Sequence, residues 1–422
     1  MTSEREERPA SAFVWVWLPE ATEPVVAGRI DLIENGVHTF TYGRSYLARQ
    51  KAMALYLPEL PLERGAISPQ PPLIMANCLR DGAPDAWGRR VIINRLTGLK
   101  GDEARNVEFG ELTFLLNSGS DRAGALDFQV SADVYKPREQ ANATLEELLE
   151  AAGRVERGEP IPQVLDRALF HGSSIGGARP KALIEDGDKK FIAKFSASND
   201  TYAVVKAEFI AMRLAARAGL NVAGVSLRNV AGKDVLLVER FDRTQNKAGW
   251  RRRAMVSALT MLGLDELQAR YASYGELADV VRARFTAPQQ TLRELYGRMV
   301  FNVLTGNTDD HARNHAAFWD GANLTLTPAY DICPQGRNNR EVAGEDRRSL
   351  LETCRIAAPR FLLGEGDARS IIDAQIDAIR QGWQEACDEA GLSQVDRAFL
   401  WRRQFLNEYA FDGYAGGVPE GL

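Results

Sequence analysis

Asn307-Thr-Asp-Asp-His-Ala-Arg-Asn314 brings two acids, a histidine and two amides together within eight residues. Leu292, Leu295, Met299 and Val303 recur at helical spacing just before it, and Gly306 is the expected helix stop. The polar run therefore falls on the loop after a buried helix. Polar groups on a loop carried by a rigid support are a common arrangement for catalytic side chains.

Spacing separates the two acids. Phosphoryl-transfer enzymes of the protein-kinase type place the catalytic-loop Asp five residues before an Asn that holds Mg²⁺. Asp309 stands five positions before Asn314 and Asp310 only four, which selects Asp309 as the base. His315-Ala-Ala-Phe-Trp319, the turn Asp320-Gly321 and Leu324-Thr-Leu326 then predict a hairpin. Pro328-Ala-Tyr-Asp331 follows at once. A kinase carries its second Mg²⁺-binding acid at this point, so Asp331 and Asn314 are the expected metal ligands. Any one of these acids alone reads as an ordinary loop residue; the ordered set points to chemistry.

Upstream lies His171-Gly-Ser-Ser-Ile-Gly-Gly-Ala-Arg-Pro-Lys181. Gly176 and Gly177 let backbone N–H groups approach phosphate oxygens, Ala178 and Arg179 complete the loop, and Lys181 adds charge. A Gly-Gly pair alone marks only a tight turn, and this is neither a Walker A sequence nor Gly-x-Gly-x-x-Gly. Lys189 to Phe195 alternates as a strand, with Phe191, Ala193 and Phe195 on one face and Ile192 and Lys194 on the other. Lys194 is the lysine expected to meet nucleotide phosphates. A helix from Val204 to Ala218 ends at Gly219 and carries Glu208 on its first turns. Glu208 reads either as the partner that orients Lys194 or as a plain surface glutamate. Val235 to Arg243 is a buried strand emerging into charge, with Glu239, Arg240 and Phe241 where a hinge would present backbone groups to adenine.

The segments Asn307–Asn314, Leu326-Thr-Pro-Ala-Tyr-Asp331, Glu239-Arg-Phe-Asp-Arg243 and Ser174–Lys181 resemble signatures of the HipA family, bacterial serine/threonine kinases that act as toxins of HipBA-type modules. Pro84-Asp85 to Arg90 and Gly124-Ala-Leu126 are similar to that family's N-terminal subdomain. The resemblance runs in family order from Phe13 to Tyr409, and the phosphate loop departs from the usual form at Arg179-Pro180. It implies an α+β fold, with a small N-terminal β-rich subdomain followed by a two-lobed kinase-like core whose C-lobe is mostly helical. It also implies ATP and Mg²⁺, with His311 and Tyr330 near the nucleotide and His311 structural rather than the base. Ser174, beside Ser173, would be the autophosphorylated serine. The implied partners are a HipB-like helix-turn-helix antitoxin and a protein substrate such as an aminoacyl-tRNA synthetase, with DNA reached only through the antitoxin.

The 422 residues suffice for two or three domains, and 52 basic against 57 acidic side chains, net −5, argue against strong nucleic-acid binding by this chain alone. Arg251-Arg252-Arg253 and Arg402-Arg403 read as solvated faces. Cys78, Cys333, Cys354 and Cys387 are far apart and suggest neither zinc nor disulfides, which fits a reducing cytoplasm. No apolar run approaches the ~18 residues of a membrane span.

The expected organisation is a disordered lead-in (1–12), the β-rich subdomain (13–136), a linker helix (137–165), the kinase N-lobe (166–245), the helical C-lobe (246–412) and a tail (413–422). Helices are expected from Met255 to Gly263, Leu277 to Ala283, Leu292 to Leu304, Ala368 to Ala390 and Gln394 to Glu408. Two other functions fit the same residues less well: a small-molecule or lipid kinase, and a non-catalytic regulator acting on an antitoxin and its operator.

Overall fold

The computed structural model describes residues 9–98, 108–138, 144–157, 159, 179–197, 200–335 and 348–415. The chain divides into two compact units: residues 1–198 with 242–256 and 319–322, and residues 199–241 with 257–318 and 323–422. The architecture is α+β with a sheet-rich N-terminal region, as the sequence implies.

In the first unit, β1 (Ser11–Val16), β2 (Val25–Leu32), β3 (His38–Tyr42), β4 (Ala66–Ile67) and β5 (Leu126–Gln129) form an antiparallel sheet in the order β4-β3-β2-β1-β5. Asn35 and Gly36 both have positive φ, 68° and 77°, as the tight link from β2 to β3 requires. The outer strands β4 and β5 escape the alternation pattern because they are short. The helix Ala86–Thr97 begins where Asp85 accepts from the Gly88 N–H at 2.9 Å, an N-cap, and ends on Gly98 at φ 68°. A second helix, Leu145–Arg157, starts with a reciprocal capping pair between Thr144 and Glu147. Then β6 (Lys181–Asp186) and β7 (Lys189–Phe195) make a hairpin.

Charge is buried in this unit, and nearly all of it is paired. Arg122 and Asp127, both 0 % exposed, are bonded at 2.9 Å, and Arg138 and the Tyr135 hydroxyl also reach Asp127. Arg243 donates to Asp121 at 3.0 Å and to the Gly124 carbonyl at 2.8 Å, while the Gly124 N–H donates to Asp242. The expected solvated arginines are partly absorbed as well: Arg252 lies over the Trp17 ring at 3.5 Å, and Arg251 pairs with Glu20. Flat apolar rings cover a guanidinium well, which a count of charges cannot reveal.

In the second unit the helix Pro288–Leu304 is the central post, with Leu292, Leu295, Tyr296, Val300 and Phe301 fully buried. It starts four residues before the expected Leu292 because Pro288 occupies a first-turn position, where a missing N–H costs nothing. Its Arg298, 2 % exposed, donates to Glu294 and to the Thr327 carbonyl, both at 2.8 Å. The helix Val204–Arg217 packs on Glu365–Glu389, and Gly382 permits the approach: a Cβ there would stand 2.8 Å from Leu214. The hairpin β8 (Val225–Val230) and β9 (Lys233–Glu239) follows the first of these helices.

Two helix expectations are corrected. Met255–Ser257 is extended, and the helix begins only at Ala258 because Ser257 caps it, accepting from the Thr260 N–H at 3.3 Å. The helix from Gln394 ends at Leu400, not Glu408. Trp401 turns to pack on Trp383 at 4.8 Å, and Arg402 and Leu406 adopt left-handed φ of 62° and 52°. No glycine marks that stop, so the sequence does not signal it.

Candidate active site

Gly306 ends the central helix at φ 61°, and a Cβ there would lie 2.9 Å from the Gln404 carbonyl oxygen, so glycine is required both for backbone angle and for space. The polar run Asn307–Asn314 then leaves the helix as a loop closed on itself. Asn307 Nδ2 donates to the Asn302 side chain at 3.1 Å, and Asn314 Nδ2 donates to the Asp309 carbonyl at 3.3 Å.

The two neighbouring acids have opposite surroundings. Asp310 is sequestered: His315 Nε2 lies 2.9 Å from one carboxylate oxygen and the Tyr274 hydroxyl donates to the other. Asn302 Nδ2 donates in turn to the Tyr274 oxygen at 3.0 Å. His315 Nδ1 is buried without a hydrogen-bond partner among the described residues, which places the ring proton on Nε2. Burial alone would push the Asp310 carboxyl up, but the His315 ring, the Tyr274 hydroxyl and His311 outweigh it and hold it below the usual carboxylate range. Burial and the Asp310 charge push the Tyr274 hydroxyl well up, so it remains a donor. Asn307, Asn302 and Tyr274 thus donate in sequence toward a single anion. Asp309, by contrast, is exposed.

Downstream, the expected hairpin is present as Ala316–Trp319 and Leu324–Leu326. Asp331 follows, half-buried and at φ 60°, a left-handed conformation unusual for a residue with a side chain and frequent at functional positions. The segment before it is fixed from both sides: the Ala329 N–H donates to the Asn221 carbonyl at 2.8 Å and the Ala223 N–H to the Ala329 carbonyl at 2.9 Å. Next to Ala223, the Gly224 carbonyl accepts from the Glu239 N–H at 2.8 Å. The end of β9 and the Asp331 segment are therefore stitched to the same short stretch. Phe241 packs on Tyr330 at 5.6 Å and on Phe318 at 5.9 Å, and the Tyr330 hydroxyl donates to the Arg313 carbonyl at 2.7 Å. Arg240 and Glu208 are buried, 4 % and 2 % exposed, which sets aside the surface-glutamate reading of Glu208. Asn314 is buried and His311 half-buried.

The lysines belong to the first unit. Lys181 and Lys194 are direct partners across the β6–β7 hairpin. Like charges set opposite each other destabilise a sheet, so such a pair calls for anions. One is at hand: the Asp85 carboxylate, whose other oxygen caps a helix, accepts from Lys181 at 3.0 Å. Even so, burial outweighs the ammonium and raises the Asp85 carboxyl. Arg179 is half-buried just before β6. Ser173, Ser174, Gly176, Gly177 and Ala178 lie outside the described residues. The roles of Asp85 and of the Tyr274–Asp310–His315 cluster were missed by sequence reasoning; Asp85 meets Lys181 across 96 positions, and no local pattern announces such a pair.

The donor chemistry fits a hard divalent cation. With the Asn314 nitrogen anchored on the Asp309 carbonyl, its amide oxygen is the atom that could meet a cation, and Asp331 likewise offers oxygen donors. Mg²⁺ takes few protein oxygens and completes its shell with water and substrate phosphates. Among the described residues no helix is long and apolar enough to cross a membrane.

Comparison with known proteins places this geometry in a class. Residues 16–129 match the HipA N-terminal domain and residues 173–383 the HipA-like C-terminal domain. The chain belongs to the HipA family. It is 27 % identical over 304 residues to the serine/threonine-protein kinase toxin HipA of Shewanella oneidensis, a match covering 65 % of this chain and 65 % of that protein. The aligned region thus stops short of two thirds of that relative's length. In fold the chain is similar to a chain of the Shewanella oneidensis toxin–antitoxin complex of HipA, HipB and its operator DNA, with TM-score 0.69 and 20 % identity, covering 96 % of this chain and 98 % of that one.

Proposed function

We propose that this chain is an ATP- and Mg²⁺-dependent serine/threonine protein kinase and the toxin of a toxin–antitoxin pair. The observation that carries the reading is the contrast between adjacent carboxylates: Asp310 is locked by His315 and Tyr274, while Asp309 is exposed on the same loop, five positions before the buried Asn314. Asp309 accepts the proton of the attacking hydroxyl. Lys194, Lys181, Arg179 and the loop with Gly176, Gly177 and Ala178 bind the nucleotide phosphates, with Glu208 orienting Lys194. Glu239, Arg240 and Phe241 receive the adenine, with Tyr330 and His311 beside it. Asn314 and Asp331 hold the metal, which neutralises charge on the β- and γ-phosphates when bound.

A HipB-like helix-turn-helix protein is the partner this reading names, supported by the complex in which the similar fold occurs. The acceptor is a protein, of which an aminoacyl-tRNA synthetase is one candidate, and Ser174 is the site of autophosphorylation. Radiolabelled ATP with Mg²⁺ tests the proposal: label enters protein, and removing the metal with EDTA stops it. Label in a small acceptor only, or in nothing, would overturn it.

A further inference from the structure

A cleft of about 470 Å³ opens in the second unit directly beside the proposed catalytic loop, between that loop and the stretch joining the helices Ala258–Leu262 and Tyr274–Arg284. Residues from Asp310 to Arg313 form one wall, beginning one position after Asp309, and Leu262 and Leu277 supply apolar lining. Its acids already have partners: Glu266 accepts from Arg313 at 3.0 Å, and Asp310 is held by His315 at 2.9 Å. Arg270, on the opposite rim, is exposed, and no acid pairs with it among the described residues. Arg270 therefore presents a cation at the cleft mouth to an incoming acid. The same rim carries two large apolar side chains in water, Leu267 at 80 % exposure and Tyr271 at 54 %, with the Arg270 guanidinium 5.0 Å from the Tyr271 ring.

Exposed tyrosine, leucine and arginine around a concave surface are what a protein partner meets, and a phosphate-binding surface has no use for Leu267. We propose that this cleft and its rim dock the acceptor protein, taking an acidic side chain near the target hydroxyl at Arg270 and an apolar one in the cleft. The proposal rests on the kinase reading for the identity of the bound segment, but binding itself does not depend on catalysis.

The test uses the full chain and two fluorescein-labelled serine peptides, one with Asp and Leu flanking the serine and the other with Lys in place of Asp, followed by fluorescence anisotropy. The acidic peptide is expected to bind at least about tenfold tighter than the basic one. Arg270→Glu is expected to abolish or invert that preference, and Leu267→Ser to weaken the acidic peptide, while the thermal shift produced by Mg·ATP stays as in the parent. Equal binding of both peptides, no binding of either, an acidic preference that survives Arg270→Glu, or tighter binding of a uridine oligonucleotide would each overturn the docking site. Absence of the Mg·ATP shift in the parent would instead overturn the kinase reading, so the two failures are separable.

Discussion

The stretch Ser120–Gln129 and the loop Asn307–His315 are equally rich in charge, yet the chain uses them in opposite ways. In the first, Asp121 binds Lys190 and Arg243, and Asp127 binds Arg122, Arg138, Tyr135 and Gln129, so both carboxylates are consumed. Burial pushes Arg122 down to about 10 even with Asp127 alongside, while Arg122 and Arg138 overcome burial to hold Asp127 low. That is scaffold: charge internalised and cross-satisfied. The loop buries one carboxylate in the same manner, at Asp310, and holds its neighbour Asp309 at the surface. A scaffold takes its charges inside; a site keeps one where solvent and substrate can reach it.

The sharpest way to break the contrast is to exchange the roles of the neighbours. Asp309→Asn should lower phosphate transfer by about 10²–10⁴-fold, the worth of a positioned base, with the melting temperature and the Mg·ATP shift unchanged. Asp310→Asn should instead lower the melting temperature. An Asp309→Asn variant as active as the parent would show that the five-residue spacing selected the wrong acid.

On the scaffold side, Asp127→Ala strands Arg122, which is 0 % exposed, and should cost about 3–5 kcal/mol. Thermal melting measures it. A loss below ~1 kcal/mol would mean that Arg138 and the carbonyls around Arg122 suffice without the carboxylate.

How far the sequence reveals these arrangements depends on the range of the contacts. Gly306 as a helix stop, the Asp320-Gly321 hairpin and the helix from Val204 were legible because each depends on neighbours a few positions away. Asp309 was chosen from its spacing to Asn314, and in the fold these two residues meet through the Asn314 amide and the Asp309 backbone carbonyl. Tyr274 meets Asp310 across 36 positions and Arg243 meets Asp121 across 122, and these pairs exist only once the chain has folded. A string such as Glu239-Arg-Phe-Asp-Arg243 illustrates the limit: Asp242 and Arg243 are part of the buried scaffold, which their family likeness alone did not indicate.

A gentler probe of the loop is Tyr274→Phe. It removes one donor to Asp310 and the acceptor for Asn302 without changing shape, so about 1–3 kcal/mol of stability should go. Transfer should fall less than in Asp309→Asn, because the base itself is intact. If Tyr274→Phe melts with the parent, the ordered donation toward Asp310 contributes nothing and His315 alone holds the acid.

The smallest effect is one of pH, and its sign follows from the direction of the Asp310 shift. The folded carboxyl titrates below its ordinary value of 3.8, so the unfolded chain takes up that proton first as the solution is acidified. The stabilisation from the lock is therefore complete above the ordinary carboxylate range and is lost only as pH falls through it toward the lower folded value. Melting temperatures of the parent and of Asp310→Asn should differ by a constant amount from pH 7 to about 5 and converge below about 4. Convergence already between pH 7 and 5 would show that a group other than Asp310 controls the difference.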